Sequence, residues 1–210
     1  MVARGRKAEQ GEATRAALVS VARTLFTKHG FAATATEEVV QRARVTRGAL
    51  YHHFENKEDL FRAVYEQIES ELAERIMVSA SRGGNAEEQF RLGLDAFLDA
   101  CLEPEIQRIC LLEAMTVLGW ETWHEIDVRY SLGLLQAGLQ ACIDEGLIEP
   151  RPVEPLAHIF LGALIQASMA VARAADPPAA RRAVGEEMQR VFGGMLTAPR
   201  ATRRKVAARR

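Results

Sequence analysis

Residues 45–61 read VTRGALYHHFENKEDLF, and this stretch decides how the chain is understood. Thr46 is a good N-cap for a short helix over 47–54, so free backbone N–H groups at that helix end can meet a phosphate. Within the helix, Arg47 and Tyr51 stand four apart on one face, and Leu50 and Phe54 stand four apart on the other. One side therefore suits a small core, while the other offers hydrogen bonds to a partner. Gly48, beside Arg47, removes bulk where a groove wall would come close.

Upstream, a second short helix is expected over 35–43, with Arg44, Val45 and Thr46 forming the turn. Two short helices on a three-residue turn, near a basic front, are the ingredients of a helix-turn-helix. Before them, Ala16, Val19, Ala22, Leu25 and Phe26 recur at helical spacing until Gly30 stops the pattern. The adjacent His52 and His53 invite a metal or acid–base reading. As helical neighbours their side chains diverge by about 100°, and neither an i, i+4 histidine pair nor an H-E-x-x-H occurs. His53 falls at the edge of the core face, as a packing residue with one hydrogen bond to donate.

Downstream the chain continues as helix. Asn56 can cap a long helix from Lys57, striped by Leu60, Val64, Ile68 and Leu72. Further helices are expected over 86–102, 105–118, 121–145, 153–175 and 177–196, separated by Gly and Pro punctuation. The expected fold is all-α, about nine helices in total: a three-helix helix-turn-helix head and a multi-helix body. The expected domains are 1–56 for DNA binding, 57–197 for ligand binding and dimerisation, and 198–210 as a basic tail.

Composition fits this. The chain has 210 residues, 48% of them hydrophobic, enough for a substantial core and too many for a disordered chain. Residues 1–60 carry 10 Lys/Arg against 7 Asp/Glu, residues 61–196 carry 11 against 21, and residues 197–210 carry 6 against none. A polyanion suits the basic front and would be repelled by the acidic body. The opening MVARGRKAEQGEATR has no apolar h-region. Cys101, Cys110 and Cys142 form an odd set without C-x-x-C spacing, which reads as reduced, apolar core cysteines in a cytoplasmic protein. Leu156 to Ala175 is apolar, yet it carries His158, Gln166 and Arg173, so a helix buried in a bundle or dimer is expected there and not a membrane span.

The stretch GFAATATEEVVQRARVTRGALYHHFENKEDLF resembles the DNA-binding head of the TetR family of transcriptional repressors. The family pattern is met by Gly30, Phe31, Thr34, Val39, Ala43, Val45, Thr46, Gly48, Leu50, Tyr51, His53, Phe54, Lys57 and Leu60. LLEAMTVLGWETWHEID in the body resembles one subset of that family. The resemblance implies that Arg47, Gly48, Tyr51 and His52 face bases in the major groove, with Arg47 bidentate to guanine. It places Thr36, Thr46, His53 and Lys57 near phosphates, which set register. Three positions depart from the pattern: Arg44 for the turn glycine, Ala35 for the second threonine, and Val40 for a small alanine. Either Arg44 keeps a left-handed backbone at a cost of about 1 kcal/mol, or the turn is reshaped and Arg44 adds a phosphate contact.

In the body, Val184, Met188, Val191, Phe192 and Met195 form a helical stripe, and Leu161, Leu164, Ile165 and Ser168 lie on the apolar helix before it. Together they are read as a four-helix homodimer interface, which would set two recognition helices about one DNA turn apart on a palindromic operator. Candidate lining for an apolar or amphipathic small-molecule ligand, not identified further, is Phe97, Cys101, Met115, Leu118, Trp120, Trp123, His124, Tyr130 and Met169, with Gln166 and Arg173 as polar anchors. By family analogy, the ligand would tilt the helix beginning near Lys57 and release a repressor from double-stranded DNA. No cofactor, catalytic residue or metal is expected. Glu121 and His124 form one E-x-x-H, whereas di-iron bundles need two copies with further carboxylates. A metal-bundle enzyme and a DNA-binding protein that senses no ligand are the competing classes.

Overall fold

A computed structural model describes residues 2–197. Its elements in order are α1 (Val2–His29), α2 (Thr36–Ala43), α3 (Arg47–His53), α4 (Lys57–Ala80), α5 (Ala86–Ala100), a π-helical stretch (Ile106–Glu113), α6 (Ala114–Asp127), a second π-helical stretch (Val128–Leu132), α7 (Gly133–Asp144), α8 (Val153–Ala172) and α9 (Pro177–Met195). The all-α expectation holds. Among the described residues the only β-type pairing is an isolated bridge between Ile148 and Leu196, which pins the end of α9 to the loop before α8.

Element boundaries follow local chemistry. Gly30 ends α1 at φ 82°, and Gly119 breaks α6 at φ 75°, ψ 164°, where the Leu118-Gly119 break was expected. Side-chain caps start α3, α4 and α5: Thr46 accepts from the Ala49 N–H at 3.1 Å, Asn56 from Asp59 at 2.7 Å and Asn85 from Glu88 at 2.9 Å. Asp176 likewise accepts from the Ala179 N–H at 2.9 Å, ahead of the prolines that open α9. Nothing in the sequence marks the two π stretches, which have no side-chain cap of their own.

Two apolar clusters form. The first joins α1 to α4 with the start of the body, through Phe26, Leu50, Phe54, Phe61, Tyr65, Ile109, Trp123 and Ile126. The second fills the space between α5, α7, α8 and α9 around Phe90, Leu98, Phe160 and Phe192. Phe97 and Ile165 pack against both. Arg23 ties the head to the body, donating to Glu105 at 2.8 and 2.7 Å and to Glu71 at 2.7 Å.

The second cluster corrects the expected dimer stripe. Leu161, Leu164, Ser168, Met188 and Phe192 are buried within one chain, because α8 and α9 turn those faces onto α5 and α7; Ile165, Val184 and Met195 are half-buried there, and Val191 is exposed. The outward face of α8 instead carries His158, Ile159, Gly162, Ala163, Gln166, Ala170 and Arg173. The basic tail at 198–210 lies outside the described residues.

Candidate nucleic-acid interface

The helix-turn-helix is built from the inside outward. Phe26, Phe31 and Phe61 form a ring triad with centroids 5.3 to 5.8 Å apart, and α2 and α3 rest on it through Val39 and Leu50. Thr34, buried, donates to the Gly30 carbonyl at 2.7 Å and closes the turn that introduces α2. At the α2–α3 turn, Arg44 has φ 56°, ψ 39°. The left-handed backbone usual for glycine is therefore kept, the Arg44 N–H donates to the Gln41 and Val40 carbonyls, and the side chain is exposed. Keeping the backbone costs about 1 kcal/mol, and the exposed guanidinium is the other result. Val40 is half-buried against the head core. Ala35 sits at the N-cap of α2 with the right backbone and no side-chain hydrogen bond.

On the outward side of α3, the Arg47 side chain is 70% exposed, Tyr51 is 45% exposed, and His52 is exposed. Arg47 lies over the Tyr51 ring at 5.6 Å and 3.6 Å from Glu37, a loose pair that a phosphate or base can displace. The Glu37 carboxyl is held below its ordinary value, by its own backbone N–H first, then by the Thr36 hydroxyl and by Arg47. A Cβ built on Gly48 meets only Thr46 Oγ1, at 3.9 Å, so nothing inside the fold asks for glycine there.

His52 and His53 lie closer than simple divergence suggests, with ring centroids 5.2 Å apart and planes at 66°. His53 is half-buried and packs toward Phe54. Among the described residues, no three His, Cys, Asp or Glu side chains gather to hold a metal ion. Lys57 also has partners within the head. Its Nζ donates to the Phe31 carbonyl at 2.9 Å and the Thr34 carbonyl at 3.1 Å, and sits 4.2 Å from the centre of the Phe31 ring. These partners account for a lysine at a helix N-terminus without any phosphate.

The body meets the head at the same turn. Glu113, last residue of the first π stretch, accepts from the Phe31 N–H at 2.9 Å. Any Cβ at Gly30 would stand 2.5 Å from Glu113 Oε1 and 3.0 Å from an Arg108 nitrogen. Gly30 thus serves twice, by its positive φ and by this close approach. No spacing signals this contact, which links residues 82 apart.

Of the expected ligand-lining residues, Cys101 and Trp123 are buried, and Phe97, Leu118, His124, Tyr130 and Met169 are half-buried. Met115, Trp120, Gln166 and Arg173 are exposed; Gln166 lies on the outward face of α8 and Arg173 at its C-cap. Among the described residues, the buried carboxyl groups of the body are Glu69 and Asp127, 7% and 6% exposed. Their faces were readable: Glu69 lies four residues after Tyr65, and Asp127 four after Trp123. Burial first of all pushes Glu69 up to about 7, assisted by Asp127, and burial pushes Asp127 up to about 6.

Comparison with known proteins agrees with this architecture. Residues 18–64 match the family described as "Bacterial regulatory proteins, tetR family", and residues 87–195 match "Tetracyclin repressor-like, C-terminal domain". The crystal structure of a TetR-family transcriptional regulator from Pectobacterium atrosepticum superposes with TM-score 0.82 at 34% identity, covering 91% of this chain and 98% of that one. The Transposon Tn10 TetC protein of Escherichia coli is 29% identical over 162 residues, 73% of this chain and 78% of its own length. The HTH-type transcriptional regulator AcrR of Shigella flexneri is 39% identical over 66 residues, 31% of each chain.

Proposed function

This chain belongs to the TetR family of DNA-binding transcriptional regulators, and on that basis we propose that it is a homodimeric repressor released from a palindromic operator by a small-molecule ligand held in its body. One observation carries the DNA side of the reading: the outward face of α3 presents Arg47, Tyr51 and His52 around a glycine that the fold itself does not need. Arg47 suits guanine in the major groove, and Thr36, Arg44, Thr46 and His53 lie on the same head as phosphate-directed groups. Residues 1–56 act as the DNA-binding unit and 57–197 as the sensing and dimerising unit. A partner of this kind places the protein in the cytoplasm, with the chromosome.

Dimerisation is supported by α8. That helix is long and apolar enough to cross a membrane, and only 33% of its most apolar stretch is buried in one chain. Its outward face of Ile159, Gly162, Ala163, Gln166 and Ala170 has helical spacing, small residues for close approach and two flanking polar groups. A second copy related by a two-fold axis buries such a face against itself. Release is supported by the junction. A ligand that shifts the first π stretch or α4 acts directly on Glu113 and Lys57, which both hold the turn at Phe31.

Gel-shift titration against the chain's own upstream region tests the reading. Sequence-selective binding that falls steeply as salt rises is the expected result, with a palindrome protected in a footprint. Absence of selective, salt-sensitive binding at micromolar protein overturns it.

A further inference from the structure

Two glutamates lie in the first turn of α2, and they are used differently. Glu38 pairs with Arg42 inside its own helix at 2.7 Å. Glu37 reaches across to α3 instead. Its Oε2 accepts from the Thr36 hydroxyl at 3.2 Å, and its Oε1 stands 3.6 Å from Arg47 Nη1. Both acids suit the positive end of a helix, which explains their place in the first turn but not the direction Glu37 takes. Arg47 is bracketed as a result, with Glu37 beside it and the Tyr51 ring 5.6 Å beneath. The Arg47 and Glu37 side chains are 70% and 65% exposed, and a pair that wet adds little to stability.

A carboxylate in this place works against a polyanion. Thr36, Arg44, Thr46 and Arg47 on the same head are neutral or basic, and Glu37 brings a negative charge among them. Its own backbone N–H first, then Thr36 and Arg47, hold the carboxyl below its ordinary value, so it is ionised and can only accept hydrogen bonds. Phosphates repel such a group. One base edge offsets that cost. Across the major groove a G·C pair presents two acceptors, guanine N7 and O6, and then one donor, the cytosine N4 amino group. Arg47 with Glu37 presents donors and then an acceptor. The reversed C·G pair presents the opposite order, and an A·T pair sets its donor between two acceptors, so in each of them like groups meet.

We propose that Glu37 is a specificity-determining residue of the operator contact, and that Glu37 and Arg47 read one G·C pair, in one orientation, as a unit. Arg47 donates to guanine N7 and O6, and Glu37 Oε1 accepts the groove-side N4 proton of the paired cytosine. This rests on the reading of the chain as an operator-binding regulator and deepens it. The same carboxylate acts a second time on DNA that lacks the pair. There Glu37 keeps Arg47 as its own partner and meets phosphate unrelieved, so non-operator duplex is disfavoured. Discrimination thus comes from an attraction and a repulsion carried by one side chain.

The test locates the pair first, as the operator position at which Arg47→Ala loses the preference for guanine. Every cytosine opposite such a guanine is then replaced by N4-methylcytosine, which keeps the Watson–Crick proton and sets a methyl group in place of the groove-side one. Fluorescence anisotropy at fixed salt compares wild type and Glu37→Ala on the operator, the methylated operator and a scrambled duplex of equal length. Wild type is expected to lose about tenfold or more in affinity on methylation, and Glu37→Ala less than about threefold. Glu37→Ala is also expected to bind the scrambled duplex more tightly than wild type does. Three results overturn the proposal: a wild type indifferent to the methyl group, a variant that senses it as strongly as wild type, or a scrambled-duplex affinity that the substitution does not raise. Circular dichroism verifies the fold of the variant, and the wild-type response to methylation decides alone if the variant fails to fold. Selective operator binding alongside any overturning result leaves the regulator standing without this role for Glu37. Absence of selective binding to any duplex, or a guanine preference that Arg47→Ala leaves intact at every position, also overturns the proposal; only the first of these removes the regulator as well.

Discussion

Glu113 Oε2 accepts the Phe31 backbone N–H at 2.9 Å, joining a π-helical turn of the body to the first turn of the helix-turn-helix. Removing the carboxylate leaves that N–H without its partner and opens space beside Gly30. Glu113→Ala is expected to lower stability by about 1 kcal/mol and to weaken the coupling between the body and DNA. Melting curves read the first effect. The second appears as a smaller ligand-induced loss of operator affinity, with DNA binding in the absence of ligand retained.

Arg47 and Lys57 are expected to fail in different ways. Arg47→Ala relaxes discrimination at one base position by about 1–3 kcal/mol, leaving the fold intact. Lys57→Ala removes two carbonyl contacts and a ring contact inside the head. Its main effect is therefore a loss of about 1–2 kcal/mol of stability. Binding to a set of mutated operators at fixed salt separates them. A phosphate role for Lys57 would instead lower the salt slope by about 1.

Ala35 stands in N-cap geometry, φ −86° and ψ 140°, with an unused cap position at α2. Ala35→Ser should supply the missing acceptor and raise stability by about 1 kcal/mol. Urea titration, with an unchanged m value, is the measurement.

Raised carboxyl groups give stability an acid bias. Glu69 ordinarily titrates at 4.5 and is pushed up to about 7 in the fold, so the native state keeps a proton that the unfolded chain loses. Its contribution is fully present at low pH and is lost as pH rises from about 4.5 through about 7. Glu69→Gln should therefore flatten the pH dependence across that window and gain on the order of 2–3 kcal/mol over wild type at pH near 8. Thermal melts at pH steps across the window check the sign: a variant that loses stability at high pH contradicts it.

Ile159 is 71% exposed on α8, whereas Met188 is buried on α9. Ile159→Glu should give a folded monomer with weakened operator binding, because the charge falls on the outward face of α8 proposed to meet a second copy. Met188→Glu should unfold the chain, with a charge placed in the second core. Sedimentation and circular dichroism distinguish the two outcomes.

Much of the head was legible because its determinants are local. Thr46, Asn56 and Gly30 announce helix ends by their own chemistry, and the two-sided spacing of Arg47, Leu50, Tyr51 and Phe54 separates surface from core. The body was legible as helices and much less as faces. Leu161, Ser168, Met188 and Phe192 sit on an apolar pattern that serves a core and an interface equally well. The orientation of Gln166 was not legible because α8 is apolar nearly all round, which leaves periodicity with nothing to orient it. Glu69 and Asp127 were missed although they lie on apolar stripes, since a charged residue there is ordinarily assigned to a neighbouring exposed face. Lys57 and Glu113 depend on contacts between residues far apart in sequence, and no spacing rule reaches them.

Arg23 has one further consequence. Its pairs with Glu71 and Glu105 lie at a partly open seam, with a fifth to two-fifths of each side chain still wetted. Ions at physiological strength screen charges over about 8 Å, so salt reaches this seam as well as the DNA. Raising ionic strength therefore acts on the operator complex twice, once by replacing the protein at the phosphates and once by loosening the strut that fixes the angle between head and body. A steep loss of affinity with salt would then count more ions than the number of phosphates touched, and the excess would measure the stiffness of the joint.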